Sequence, residues 1–371
     1  MSLATPVAAT STIATTADPA TAVTMHALVY GGPGLKSWSV VAKPQLRDDT
    51  DAIIRVDVTT ICGSDLHILK GDVPEVSVGR ILGHEAIGTV ESVGARVTAL
   101  HPGDRVLVSA ITSCATCVYC RQSRYGQCLN GGGWVLGHLI DGTQADYVRV
   151  PYCETSTYLI PDDADGEELL MLSDILPTGY EVGVLNGRVQ PGDDVVVVGA
   201  GPVGLSAMTT ARLLSPRQII AIDLDDGRLA QARRFGADVT INNATESPLE
   251  QVRALTGGLG AQVVMEAVGL AATFELATTL VRPGGRVANI GVHGQPVTLH
   301  MEQLWGRDLT LTMGLVDTHS IPTLLSLMSA QRLDARHFVT HRFTSDRFVD
   351  AYDTFAHAAT TGALKVVVTP N

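Results

Sequence analysis

The stretch ITSCATCVYCRQSRYGQCLNGGGW, residues 111–134, carries Cys114, Cys117, Cys120 and Cys128 at intervals of two, two and seven residues. Thiols gathered so closely can form disulfides, a redox pair, a nucleic-acid knuckle or a metal site. A second constellation is dispersed. CGSDLH (62–67), GHE (83–85) and SDILPTGY (173–180) supply Cys62, His84 and Asp174. Cys, His and carboxylate are zinc ligands, and a catalytic zinc keeps three protein ligands and one open position. A thiolate, a neutral imidazole and a carboxylate balance the charge of Zn²⁺. Singly, a buried Cys, a core His and a capping Asp are ordinary; together they point to a metal centre.

Gly199, Gly201 and Gly204 form a third pattern, G-x-G-x-x-G. It follows DVVVV and opens a helix, which is the context that gives the motif meaning. The first Gly permits the tight turn, the second admits pyrophosphate, and the third lets helix pack on strand. Pro202 and Val203 complete the cofactor-binding turn. The helix start offers free N–H groups to phosphate. Asp223, 19 residues after Gly204, ends the second strand. A carboxylate there accepts both ribose hydroxyls and repels a 2′-phosphate, so NAD is expected rather than NADP. Arg228, one turn on, is counted with the same site, although Asp223 argues against its meeting a phosphate.

These groups need elements to hold them. The chain has 371 residues with 45% hydrophobic content, too long for one core, so two domains are expected. Residues 1–24 read as a disordered tail rich in Ala and Thr, without the basic start of a secretory signal. HALVYGG is the first expected strand. AIIRVDVTTIC, AIGTVESVGARV and DRVLVSA are β-branched and punctuated by Gly and Pro, as in a compact β unit over residues 25–177. From Pro177 the texture changes. DVVVV, QIIAID, AQVVMEAVG, RVANIGV and LTLTMGLV alternate with helical runs, giving a doubly wound parallel sheet over 178–317. Residues 318–371, with helices in SIPTLLSLMSAQRL and SDRFVDAYDTFAHAA and a strand in KVVVTP, are assigned back to the first domain. The fold class is α/β.

Net charge is −12, with no Lys/Arg cluster, so nucleic acid is not an expected partner. No run reaches the roughly 18 apolar residues of a membrane span, so no membrane partner is expected either. Six cysteines and no signal suggest a reducing, cytoplasmic setting, where clustered thiols more often hold metal. Cys153, outside both constellations, is expected to be a buried, inert thiol.

With CGSDLH, GHEAIGTVESVG, PGDRV, the four spaced cysteines, GAGPVG and Asp223, the chain from about residue 25 onward resembles the zinc-dependent alcohol dehydrogenases of the medium-chain dehydrogenase/reductase superfamily. That resemblance implies a GroES-like, mainly β catalytic domain plus a Rossmann domain, with the active site in the cleft between them. It implies two zinc ions per chain and NAD. Cys62, His84 and Asp174 resemble the catalytic ligands, Glu85 the neighbouring acid, and Asp65 the carboxylate that orients the ligand histidine. Many members have Cys where this chain has Asp174. The carboxylate form resembles the branch acting on small secondary alcohols and ketones, and also the formaldehyde dehydrogenases. Cys114, Cys117, Cys120 and Cys128 match the structural zinc lobe (112–130), where four thiolates close a tetrahedron with no open position.

The resemblance also implies a mechanism. Zinc polarises the alcohol oxygen, and hydride passes to nicotinamide. Ser64 and His67 resemble the proton relay to solvent; histidine as a residue type suits its outer end. Thr178, Val268, Val292 and His293 fall where the family lines the nicotinamide, and Lys365 resembles a late basic residue near the phosphates and Glu85. Ala110, Ile111, Trp134, Leu315 and Val316 match substrate-pocket positions. An apolar pocket without Arg suggests a small neutral alcohol, aldehyde or ketone. The family implies a homo-oligomer, dimer or tetramer. The alternatives are a formaldehyde or polyol dehydrogenase on the same scaffold, and a non-catalytic zinc- and nucleotide-binding redox sensor; a sensor has no use for Ser64 and His67.

Overall fold

The computed structural model describes residues 23–371, so the tail expected over 1–24 lies almost wholly outside the described residues. Fifteen strands follow in order: β1 (Thr24–Gly32), β2 (Leu35–Ala42), β3 (Ala52–Thr60), β4 (Ala86–Val93), β5 (Arg105–Val108), β6 (Tyr147–Val150), β7 (Thr157–Leu159), β8 (Asp194–Val198), β9 (Gln218–Asp223), β10 (Val239–Asn242), β11 (Ala261–Glu266), β12 (Val281–Asn289), β13 (Thr310–Met313), β14 (Val339–Thr344) and β15 (Lys365–Thr369). They form three sheets.

The β1–β2 pair is an antiparallel hairpin. The second sheet runs β14-β15-β3-β4-β5-β7, with β6 also on β3. Thus β14 and β15, from the far end of the sequence, complete the sheet begun by β3. The third runs β10-β9-β8-β11-β12-β13, every pairing parallel. Strand β8, DVVVV, is buried along its whole length, as a central parallel strand covered on both faces must be. The strand order reverses between β8 and β11, and a doubly wound sheet binds its ligand outside the carboxyl ends at such a point.

At the end of β8, Gly199 has φ +100°, and a Cβ on Gly204 would stand 1.9 Å from the Gly199 carbonyl oxygen. No side chain fits there, so the helix Pro202–Ala211 starts hard against the turn. The chain crosses from the first unit to the second through a π-type helix, Thr178–Leu185. Wide helical turns of this kind gather at functional sites. One apolar cluster continues across the crossing: Leu107 and Ile111 of the first unit join Val182, Ala207 and Met265 of the second. The helix Phe348–Ala356 buries Phe348, Ala351, Tyr352 and Phe355, one helical stripe, with Leu28 and Tyr30. No helix among the described residues is long and apolar enough to cross a membrane.

Candidate active site and metal centres

A cleft of about 290 Å³ lies between the two units, lined by Cys62, Ser64, His67, His84, Trp134, Asp174 and Thr178 on one side and Val203, Val268, Val292, Leu315 and Val316 on the other. Ala110 and Ile111 close its base. A larger hollow, about 910 Å³ beside Lys43, Arg47 and Arg149, contains none of the expected catalytic residues.

Strand β3 ends just before Cys62, which caps the helix Gly63–Lys70; its N–H donates to Asp65 Oδ2 at 2.9 Å. His84 lies just before β4, and Asp174 caps the short helix Ile175–Pro177. The three converge. His84 Nε2 is 3.2 Å from Asp174 Oδ2, and Cys62 Sγ is 3.5 Å from the same oxygen. Thr178 Oγ1 holds the other oxygen, donating to Asp174 Oδ1 at 2.6 Å. Ligand atoms of Cys62, His84, Glu85 and Asp174 all lie within 4.8 Å of one another. Burial opposes a charged His84, yet its bonds to Asp174 and Cys62 hold its pKa well above the usual value. Burial likewise acts against ionised Asp174, but His84 draws it down to about 2. So much anionic character in a buried place suits a cation, and this donor set suits zinc.

The second rank of groups differs in part from expectation. Asp65 accepts from Cys62 N and, at 3.0 Å, from Gln144 Nε2, while its Oδ1 has no partner. Gln144 is held in turn by Tyr352, whose hydroxyl donates to Gln144 Oε1 at 2.7 Å. Lys365 is fully buried, with Nζ 2.7 Å from Glu85 Oε1 and 3.3 Å from the Ile61 carbonyl. Glu85 is one of the two neighbours expected for it, and the buried ammonium is spent on that carboxylate. Ser64 Oγ is buried, borders the cleft and has no hydrogen-bond partner. His67 is partly exposed, and its Nδ1 meets Asp72 Oδ2 at 2.9 Å, a partner with no motif to mark it.

Around the glycine turn, Asp223 Oδ2 accepts from Ala200 N at 2.8 Å, and Oδ1 accepts from Leu224 N at 2.8 Å and Asp225 N at 3.1 Å. The carboxylate is thereby fixed beside the Gly199–Gly201 loop. Arg228 lies in the first turn of the helix Asp226–Arg234, its N–H donating to the side chain of the capping Asp225. Val268 and Val292 are exposed on the cleft. His293 is not among the residues lining this cleft; its Nε2 lies 2.9 Å from Asn289 Oδ1 and 3.6 Å from Glu266 Oε2. Glu266, fully buried and missed in the sequence, accepts the N–H groups of Val268 and Gly269 and so shapes the loop that follows β11.

The four clustered cysteines are free thiols whose sulfurs also lie within 4.8 Å of one another. Cys114 and Cys120 sulfurs are 3.8 Å apart, far beyond a disulfide bond of about 2.05 Å. Cys117 N and Asn130 Nδ2 both donate to Cys114 Sγ. Burial resists a thiolate at Cys114, but Thr116 and neighbouring N–H groups bring its pKa down to about 6. Burial and the other thiols push Cys120 the opposite way. Four thiolates cannot share this space without a cation, and four sulfurs fit zinc with no position left open. Cys153 is fully buried and pushed up to about 12 by that burial.

Comparison with known proteins agrees with this architecture. Residues 48–162 match the alcohol dehydrogenase GroES-like domain, and residues 202–330 match the zinc-binding dehydrogenase family. An alcohol dehydrogenase of Cupriavidus necator is 36% identical over 374 residues, covering 94% of this chain and 99% of the relative. A glutathione-independent formaldehyde dehydrogenase of Pseudomonas aeruginosa is 36% identical over 66% of this chain and 65% of its own length. Among solved structures, the apo form of zinc dependent alcohol dehydrogenase 2 from Streptococcus pneumonia superposes with a TM-score of 0.90 at 44% identity, covering 94% of this chain and 99% of that one.

Proposed function

The chain belongs to the zinc-type alcohol dehydrogenases of the medium-chain dehydrogenase/reductase superfamily, and from that premise we propose an NAD-dependent enzyme acting on small neutral alcohols, secondary ones foremost, and their carbonyl partners. Cys62, His84 and Asp174 would hold a catalytic zinc and Cys114, Cys117, Cys120 and Cys128 a structural one. Bound there, zinc would act as Lewis acid on the alcohol oxygen and NAD as hydride acceptor.

The observation that carries the reading is the buried Ser64 hydroxyl, left without a partner in the same cleft as the three converging ligands. A hydroxyl in that condition costs stability unless something else completes it. A substrate hydroxyl would. Ser64 would accept the substrate proton while passing its own hydroxyl proton onward, by way of the nicotinamide ribose when cofactor is bound, to His67, which is partly exposed, paired with Asp72 and able to release a proton to solvent. Asp223 would select NAD by accepting the ribose hydroxyls, and Val268 and Val292 would face the nicotinamide. The apolar pocket walls Ala110, Ile111, Trp134, Leu315 and Val316 suit an uncharged substrate. Six cysteines with no disulfide among the described residues fit a reducing cytoplasm. Exposed Trp305 and Met313, at and beside the edge strand β13, support a homo-oligomer.

The test follows NADH absorbance with 2-propanol, ethanol, benzyl alcohol, a polyol and formaldehyde. Reduction of NAD by 2-propanol ahead of the others is the expected result. Activity confined to formaldehyde would favour the reading suggested by the Pseudomonas relative, and no NADH with any of them would reject the dehydrogenase activity.

A further inference from the structure

Leu315 and Val316 follow β13 and form one wall of the cleft. Residues 317–320, which come next, belong to no helix or strand, so their backbone N–H groups need partners from elsewhere. One side chain meets that need. Glu181, buried on the crossing helix Thr178–Leu185, accepts Asp317 N–H at 2.9 Å and Thr318 N–H at 3.0 Å on Oε2, and Ser320 N–H at 2.8 Å on Oε1. His319 Nδ1 stands 3.4 Å from the same carboxylate. Glu181, Asp317 and His319 lie close enough together to suggest a cation, but backbone donors already occupy both Glu181 oxygens. The cluster therefore reads as a backbone clamp.

The clamped segment has a second attachment. Asp317 Oδ1 accepts the Gly126 N–H at 2.8 Å, and Gly126 lies between Cys120 and Cys128. A Cβ on Gly126 would come within 3.0 Å of the Val316 carbonyl oxygen and 3.3 Å of Leu315 Cδ2. The cysteine lobe thus rests on the backbone of the cleft wall itself. The first residue of the crossing helix, Thr178, holds Asp174. A continuous chain of bonded groups therefore runs from Asp174 through Glu181 and Asp317 to the lobe.

We propose that Glu181 and Asp317 are positioning residues that hang the Leu315–Val316 wall between the Asp174 helix and the four-cysteine lobe, so that the lobe's integrity sets which alcohols the cleft accepts. The inference rests on the alcohol-oxidising activity proposed above. A wall misplaced by a fraction of an ångström affects bulky substrates more than small ones, because pocket contacts discriminate by shape.

The test compares kcat/KM for cyclohexanol and 2-propanol in Asp317→Ala, Asp317→Asn and Glu181→Gln, with hydrogen–deuterium exchange of the peptides spanning 314–321 and 121–128. Asp317→Ala removes the acceptor for Gly126; it should shift the cyclohexanol-to-2-propanol ratio on the order of tenfold and speed exchange in both peptides. Asn keeps an acceptor oxygen and should return both readouts to near the wild type. Gln at 181 has one acceptor oxygen for three N–H donors, so it should move the ratio and the 314–321 peptide, and it carries the test if Asp317→Ala fails to fold. An unmoved ratio in the folded variants overturns the proposal, as does unchanged exchange at 121–128 in Asp317→Ala. If the wild type oxidises no alcohol, the proposed function fails, and the exchange of the two peptides still decides whether lobe and wall are coupled.

Discussion

Ser64 is the residue whose state says most about the chemistry, because its buried hydroxyl lacks a partner and the residue lines the same cleft as the three converging ligands. Ser64→Ala should lower kcat for alcohol oxidation by about 10²–10⁴-fold, the usual worth of general acid–base help. His67→Ala should cost less, since solvent can replace the outer member, and should alter the pH profile of kcat. Steady-state kinetics across pH, with metal analysis showing normal zinc, checks both; full activity in Ser64→Ala would remove the relay. Asp223→Gly should narrow the preference for NAD over NADP by about tenfold or more, since bonds to a charged acceptor are worth about 1.5–3 kcal/mol each. Comparing kcat/KM for the two cofactors measures it. The residues legible in the sequence were those in short motifs, such as Cys62 with Ser64, His84 with Glu85, and the glycine turn. Glu181 and Gln144 were not, because each acts across a long sequence separation, and Asp72 and Glu266 were not, because a single acid near its partner forms no distinctive motif. The meeting of Lys365 with Glu85 was legible only through the family resemblance: nothing local in KVVVTP says which buried carboxylate its ammonium will meet.

At the scale of elements, apolar runs were the most legible feature. DVVVV, QIIAID and AQVVME became β8, β9 and β11, because strands buried on both faces must be apolar throughout. Strand β14 was missed: its sequence VTHRFT alternates half-buried and exposed residues, so little of it is apolar. The π-type geometry of Thr178–Leu185 was also invisible, since it depends on packing with the Pro202–Ala211 helix rather than on composition. The cysteine lobe is the element with the least apolar support of its own; of its residues Val118, Tyr119 and Leu129 are exposed. Cys114→Ser should therefore lower bound zinc from two ions per chain to about one, reduce thermal stability and, with the lobe loosened, shift the cyclohexanol-to-2-propanol ratio as Asp317→Ala does. A loss of about 3 kcal/mol would correspond to roughly 6–12 °C in a domain of 150–250 residues. Metal analysis and thermal melts read the first two effects and kcat/KM the third; zinc near one per chain in the wild type would remove the structural site.

Over the whole molecule, two units share one apolar cluster, and the backbone between them is fixed by charge as well as by packing. The Glu181 clamp gives that junction a pH dependence. The bond to Glu181 raises the pKa of His319, with burial opposing it. A raised histidine adds stability that is complete below its ordinary value of about 6.5 and disappears as pH climbs through the raised value. Asp317 faces the pair and its carboxyl is raised by burial, while Arg124 and the Gly126 amide act the other way. The melting temperature of the wild type should exceed that of His319→Gln at pH 6, and the difference should shrink by pH 9. Melts at both values decide it, and a difference that grows with pH would show that another group titrates at the junction.

The placement of β15 has a consequence in time. Val367 and Val368 pair with Thr60 and Thr59, and Lys365 on the same strand neutralises Glu85 beside the three ligands. During synthesis the six parallel strands, all before residue 314, are complete while the older sheet still lacks β15, the strand that pairs with the end of β3. Contacts of such long sequence separation form late and slowly. Glu85 therefore has no Lys365 to meet until residues 365–369 have been made, and the ligand set acquires its final surroundings as one of the last events in the birth of the molecule.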